Sequence, residues 1–397
     1  MSSKPVIIDA CRTPGGKFGG AFVKTPAPQL GALVIAELLR RNSLPLGGEE
    51  LGEVIMGNGW QAGVGANPAR IASVKGGVPV SVPAFTVNKR CGSGLRAIMA
   101  VSDRIRLGDM AVGIGGGMEN ASLAPYIAPG ARWGYRMGEK TVQDVLHADG
   151  LFCPLAEMMM GATGEILAEE YGISREEQDT FALGSHRKAV AAQKMGAFDR
   201  EILPVTLKDR KKGQYAVSAD EIPREDTSLE KLGRLPAIFK EGGTITAASS
   251  SALCDAGAAV LVGDAAWARA QGYSPMAEIL GYSPGALAPD HMGLGPVKAV
   301  PKALEKAGLS LEDVDLIELN EAFAVQVLAV QRELGFPLEK CNIYGGAIAL
   351  GHPIGATGAK ILTTLLYALQ REDKEIGLAT ACIGGGQGVA MVVRRLS

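Results

Sequence analysis

Along the chain, short β-rich apolar runs alternate with longer stretches of helical pattern, predicting strand after helix for most of the sequence. Strand-like sequence starts at once, from Met1 to Ile8. A helix pattern over Leu30–Arg41 leads through an acidic turn at Glu49 and Glu50 to the run Val54–Met56, which ends at Asn58. A further helix and the run Phe85–Val87 then open into Cys91-Gly92-Ser93-Gly94. Far downstream the order returns. Helix Val297–Lys306 leads to Glu312-Asp313, the run Asp315–Leu319 ends at Asn320, and helix Ala322–Leu334 follows. Asn342–Tyr344 then stands in the place of Phe85–Val87 and opens into Gly351-His352-Pro353-Ile354-Gly355. Asn58 to Cys91 spans 33 positions (91 − 58) and Asn320 to His352 spans 32 (352 − 320), so the stretches keep step. Each continues into an apolar helix, Leu95–Ile105 or Ala359–Leu369, and a strand closing in a glycine triplet, Gly115–Gly117 or Gly384–Gly386. Such a duplication predicts α/β layering with crossover connections, two halves packed together, and binding across their shared interface.

Between the first triplet and the strand Ala258–Gly263 lies an insert of different character, with Met158-Met159-Met160, several prolines and a polar stretch from Lys208 to Arg234. Its Ser174-Arg175-Glu176-Glu177 reads as a capping box opening a helix to Gly196. An insert this long is more often a functional lid than a linker. The division expected is residues 1–120 with 245–270 as an amino-terminal half, 121–244 as an inserted loop domain, and 271–397 as a carboxy-terminal half.

Composition narrows the class. Of 397 residues 47% are hydrophobic and 21% charged, which suits a large folded core. Lys and Arg total 40 against 42 Asp and Glu, a net charge of −2, which argues against nucleic acid or an anionic membrane as partner. The start lacks a leader pattern and no apolar run reaches the roughly 20 residues of a membrane span, so a cytoplasmic location is expected. Six cysteines without a Cys-x-x-Cys pair fit neither a zinc site nor a disulfide framework and leave thiols free for chemistry. The 53 glycines cluster at Gly113–Gly117, Gly345–Gly358 and Gly384–Gly388, which marks those segments as candidate site loops.

Cys91, between an apolar strand and a helix, faces free amides that lower a thiol pKa and can hold an oxyanion; the plain alternative is a small residue chosen for packing. His352 opens a helix on a glycine-rich turn. The spacing Gly346 to Gly351 imitates a phosphate loop, but His352-Pro353 stands where Lys and Ser or Thr belong, which leaves a general base or an oxyanion donor. Cys382, at the mouth of an apolar strand, is either a core residue or a proton shuttle beside a nucleophilic thiol. Asn320 either caps a helix or positions a water through its amide.

In Asn88-Lys89-Arg90-Cys91-Gly92-Ser93-Gly94, Asn320-Glu321-Ala322-Phe323, Gly351-His352-Pro353-Ile354-Gly355 and Cys382-Ile383-Gly384-Gly385-Gly386, supported by Gly116-Gly117-Met118-Glu119, the sequence resembles the thiolases from about residue 4 to 395. The resemblance implies duplicated βαβαβαββ halves in a five-layered α-β-α-β-α core, and an acyl-CoA acyltransferase that cleaves 3-ketoacyl-CoA or condenses two acetyl-CoA. It implies Cys91 as acylated nucleophile, His352 as activator, Cys382 as acid/base and Asn320 as holder of a catalytic water. The oxyanion donors would be the amides of Cys91 and Gly384, and His352. It places Arg224 and Ser251 along coenzyme A, and Met160, Met292 and Phe323 around the acyl group. Coenzyme A is a substrate; no cofactor or metal is called for, and a homodimer or homotetramer is implied. Met159-Met160-Gly161 is similar to broad-chain degradative members, whereas Ala131-Arg132-Trp133-Gly134 is similar to acetyl-CoA acetyltransferases, so acyl length stays open. A decarboxylating ketoacyl synthase, which uses a histidine where Cys382 stands, and a silent acyl-CoA or lipid carrier are the other readings of this scaffold.

Overall fold

A computed structural model describes residues 3–43, 50–210 and 213–396. Glu49 of the expected acidic turn and two residues of the polar stretch, 211 and 212, lie outside them. The first half runs β1 (Pro5–Arg12), α1 (Ala27–Arg41), β2 (Leu51–Gly57), α2 (Pro68–Lys75), β3 (Ala84–Val87), α3 (Ser93–Arg106) and β4 (Val112–Glu119). After the insert, with α4 (Met160–Glu170) and α5 (Arg175–Lys194), it is completed by β5 (Cys254–Asp264). The second half runs β6 (Ala277–Ala286), α6 (Gly295–Ala307), β7 (Leu316–Leu319), α7 (Ala324–Leu334), α8 (Thr357–Arg371), β8 (Ile376–Ile383) and β9 (Gln387–Arg395). The Ser174 capping box is formed, with the side chains of Ser174 and Glu177 each bonded to the other's backbone.

Strand order is β7-β8-β9-β6-β1-β5-β4-β2-β3. The two halves repeat one pattern and meet where β1 pairs β6 through Val6 with Glu278 and Ile7 with Ala277. Helices α1 and α2 cover the outer face of the first sheet and α6 and α7 that of the second, while α3 and α8 pack together between the sheets. This is the five-layered arrangement. The middle layer carries an apolar cluster in which Leu95, Ile98, Leu362 and Leu365 are fully buried with β1 and β9 side chains. α3 and α8 approach closely because Gly94 and Gly358 face each other's helix, where a Cβ would collide with the backbone of Ala359 and Leu95 respectively. That contact brings together the two helix starts that carry Cys91 and His352.

Three expectations are corrected. The first glycine triplet does not close its strand: Gly115–Gly117 lie inside β4, buried against β5, so Gly113–Gly117 is not a site loop. The second triplet is the turn between β8 and β9, with φ of +90° at Gly385 and +80° at Gly386. Asn342–Tyr344 forms no strand; only Cys341 makes a single parallel bridge to Ile317. Asn342 sits at φ +47° and its side-chain amide both accepts from Leu319 N (2.9 Å) and donates to Leu319 O (2.8 Å), standing in for a peptide of the missing strand. α7 starts at Ala324, because Phe323 is extended and Ala324 N bonds Ser249 O instead. Among the described residues no helix is long and apolar enough to cross a membrane.

Candidate active site

Cys91 lies in the tight turn Arg90–Gly92 that leads directly into α3. Ser93 fastens this turn, its hydroxyl accepting from Lys89 N (2.8 Å) and donating to Arg90 O (2.7 Å), and Arg90 is held at φ +50°. His352 follows the short helical turn Ala347–Leu350, which breaks at Gly351 with φ +85°. Its backbone N bonds Ala252 O at 2.8 Å, and the buried ammonium of Lys360 donates to the carbonyls of Leu350 and Gly351. His352 is therefore fixed from both sides. Its Nε2 is 3.1 Å from Cys91 Sγ and its Nδ1 is 2.6 Å from Thr357 Oγ1. For Nε2 to accept the thiol proton, Nδ1 must carry the ring hydrogen and donate it to Thr357.

A cavity of about 60 Å³ is lined by Cys91, His352, Cys382 and Gly384 together with Met160, Met292, Phe323 and Ser251, so nearly all the sequence-selected side chains converge. Asn320 does not line it. Asn320 is fully buried, its backbone N bonded to Thr380 O, and neither atom of its side-chain amide has a protein partner. Arg224 stands elsewhere, in a cavity of about 280 Å³ with His186, Asp226 and Lys231. A third cavity of about 390 Å³ shares Ala247, Ser250 and Ala252 with the Arg224 cavity, and Met160, Ser251, Phe323 and His352 with the Cys91 cavity. The three form one path from a polar outer end to the sulfur.

Burial raises the Cys91 thiol above its ordinary range, opposed by the charge of Arg90 and by the N–H groups of Gly384 and of Cys91 itself. Those two amides thus point at the sulfur. Burial, with Lys360 and Arg90 adding to it, pulls His352 down to about 3, so the imidazole is a neutral acceptor at neutral pH. Burial, then the neighbouring Cys91, pushes Cys382 well up, so it rests as a protonated thiol able to donate.

Glu119, quoted only as part of a motif, proves to be a bolt between the halves. Its carboxylate accepts from Gly59 N (2.8 Å), Trp60 N (3.3 Å) and Asn58 Nδ2 (2.6 Å) of the first half and from Gly355 N (2.8 Å) of the second. Thr357 was also missed; its position five residues after His352, opening α8, is the trace it leaves in the sequence.

A family model described as the thiolase amino-terminal domain matches residues 5–266 and one described as the thiolase carboxy-terminal domain matches 273–395. Over 393 residues the chain is 50% identical to an acetyl-CoA acetyltransferase of Escherichia coli, covering 99% of each. It is 49% identical, at the same coverage, to a probable acetyl-CoA acyltransferase of Staphylococcus aureus. The fold superposes on the crystal structure of the acetyl-CoA acetyltransferase of Bacillus anthracis with a TM-score of 0.96 and 41% identity, covering 100% of this chain and 99% of that one.

Proposed function

Because this chain belongs to the thiolase family, we propose that it is an acyl-CoA C-acyltransferase that forms and cleaves the carbon–carbon bond of short 3-ketoacyl-CoA. The observation that carries the reading is the 3.1 Å contact of Cys91 Sγ with His352 Nε2, with Cys382 on the same cavity wall.

In cleavage, His352 takes the Cys91 proton as the sulfur attacks the 3-keto carbon. The Cα–Cβ bond breaks, its electron pair passes to an enolate of acetyl-CoA, and Cys382 protonates that carbon. The acyl group stays on Cys91. Coenzyme A, its thiol deprotonated by Cys382, then takes the acyl group and regenerates the cysteine. The amides of Cys91 and Gly384 hold the oxygen of the acyl group, and His352, with a water on the Asn320 amide, the enolate oxygen. One such donor contributes about 3 kcal/mol to barrier lowering. Two buried polar atoms on Asn320 without protein partners support a water there, since burial of an unpaired amide is costly. Coenzyme A is a substrate, its nucleotide end near Arg224 and its arm passing Ser251.

The small space at the sulfur, about 60 Å³, favours a short acyl group there. Met159 on the wall of the larger cavity favours the second reading, in which longer chains enter. We place the protein in a reducing, cytoplasmic setting on its six free thiols, and as a homo-oligomer on the exposure of Trp133 (87%) and Met137 (91%) in the insert. Thiolysis rates over a series of 3-ketoacyl chain lengths should peak at four carbons, and acetyl-CoA should acetylate the peptide containing Cys91. A maximum at eight carbons or more overturns the short-chain reading, and turnover retained by Cys91→Ser overturns the mechanism.

A further inference from the structure

Arg90 is the residue beside the nucleophile whose conformation and bonding the mechanism leaves unused. It is held at φ +50°, a left-handed backbone that costs a non-glycine residue of order 1 kcal/mol or more. Its guanidinium crosses to the insert and donates to Asp149 O (2.6 Å) and Gly150 O. Both partners are neutral carbonyls. Gly150 and Leu151 line the Cys91 cavity with Arg90 itself, and Gly150 packs on the Trp60 indole so closely that a Cβ there would collide with the ring. The insert therefore reaches the sulfur as a segment clipped by one side chain, and that side chain is a cation.

We propose that Arg90 is a positioning residue for Cys91: strapped to the carbonyls of Asp149 and Gly150, it holds the insert over the nucleophile and sets a positive charge where the thiolate forms. This rests on the reading of Cys91 as nucleophile. The groups that face the sulfur are His352 from the turn before α8, Cys382 from β8, Glu119 from β4 and Arg90. Glu119 opposes a thiolate, Cys382 rests as a neutral thiol and His352 is neutral, so Arg90 is the cation that favours it. The same charge disfavours protonation of His352, which keeps the base free before substrate binds.

The test is the pH dependence of Cys91 alkylation by iodoacetamide, read by peptide mass, beside steady-state thiolysis. R90M should move the alkylation limb up by about one pH unit, leaving about tenfold less thiolate at pH 7, with kcat recovering as pH rises. R90K, which keeps the charge but has one head for two carbonyls, should hold the limb in place and raise KM. R90G supplies a second uncharged variant that the left-handed backbone accommodates, and should show the same upward shift as R90M. An alkylation limb unmoved in both R90M and R90G overturns the proposal. Turnover surviving in C91S would instead overturn the reading beneath it, whatever Arg90 does.

Discussion

The first half is a βαβαβαββ unit and the second repeats it with one strand missing, so the two differ around the site. In the first, a four-residue strand β3 delivers the chain straight into the Cys91 turn that leads into α3. In the second, that strand is replaced by the Asn342 side chain bonded to both backbone groups of Leu319, and the chain loops through a helical turn before His352. Cys91 thus sits at a helix start, while His352 is set back from its helix and steered by Thr357. At the other end, β8 and β9 are joined by Gly384–Gly386 alone, whereas β4 and β5 are separated by the whole insert, residues 120–253. One copy closes tightly and places an amide on the sulfur; the other opens into the insert, which lines the cavities beside it. Duplication gives a symmetric frame, and the unequal loops make it a site.

Removing the second half's contribution has the largest expected effect. His352→Ala should lower kcat by about 10²- to 10⁴-fold while the protein stays folded, measured by steady-state thiolysis. Near-normal turnover would mean that the first half works alone. Next, the substitute for a strand can be broken. Asn342→Ala leaves Leu319 N and O, both buried, without their side-chain partner and removes a 3.0 Å bond to Glu321. A loss of about 2–4 kcal/mol in urea unfolding is expected, and a loss under 0.5 would show that Asn342 replaces nothing.

A third test separates the regions by pH. His352, held near 3 by burial with the charges of Lys360 and Arg90, and His186, held near 4 by burial and Arg224, are neutral in the fold. Unfolded, each takes a proton near 6.5, so the unfolded chain binds more protons between that pH and the folded values. Stability is then greatest above 6.5 and falls on acidification toward 4 and 3, by up to about 1.4 kcal/mol per pH unit for each histidine. Thermal unfolding at pH 7 and pH 5 should show the drop, reduced in His186→Asn. An equal drop in that variant would assign the acid sensitivity elsewhere.

Much of this was legible in the sequence, because duplication repeats spacing and a catalytic turn needs particular residues. Cys91 and His352 stand in turns, and Cys382 at the end of β8, where glycines and flanking runs announce them, and the structure brings them to one cavity. What was not legible depends on which atoms meet after folding. Two glycine triplets look alike in sequence, yet one is buried between strands and the other turns a hairpin, a difference set by the insert that follows β4. Asn342 reads as a strand residue until its amide is seen to do a strand's bonding. Glu119 and Thr357 act on residues 236 and 5 positions away, and only the nearer leaves a local trace. Asn320 was grouped with the cavity residues by motif, and only the fold shows its amide fully buried without a protein partner.

The placement of β5 between β1 and β4 has a consequence for the order in which the molecule is made. A ribosome releases β1 and β4 long before Cys254–Asp264, so during synthesis of the insert both strands show raw edges to solvent. In the second half only β6 waits in this way for β9, since β8 and β9 emerge three residues apart. Nascent chains stalled between residues 120 and 253 are therefore the ones that chaperones must shield.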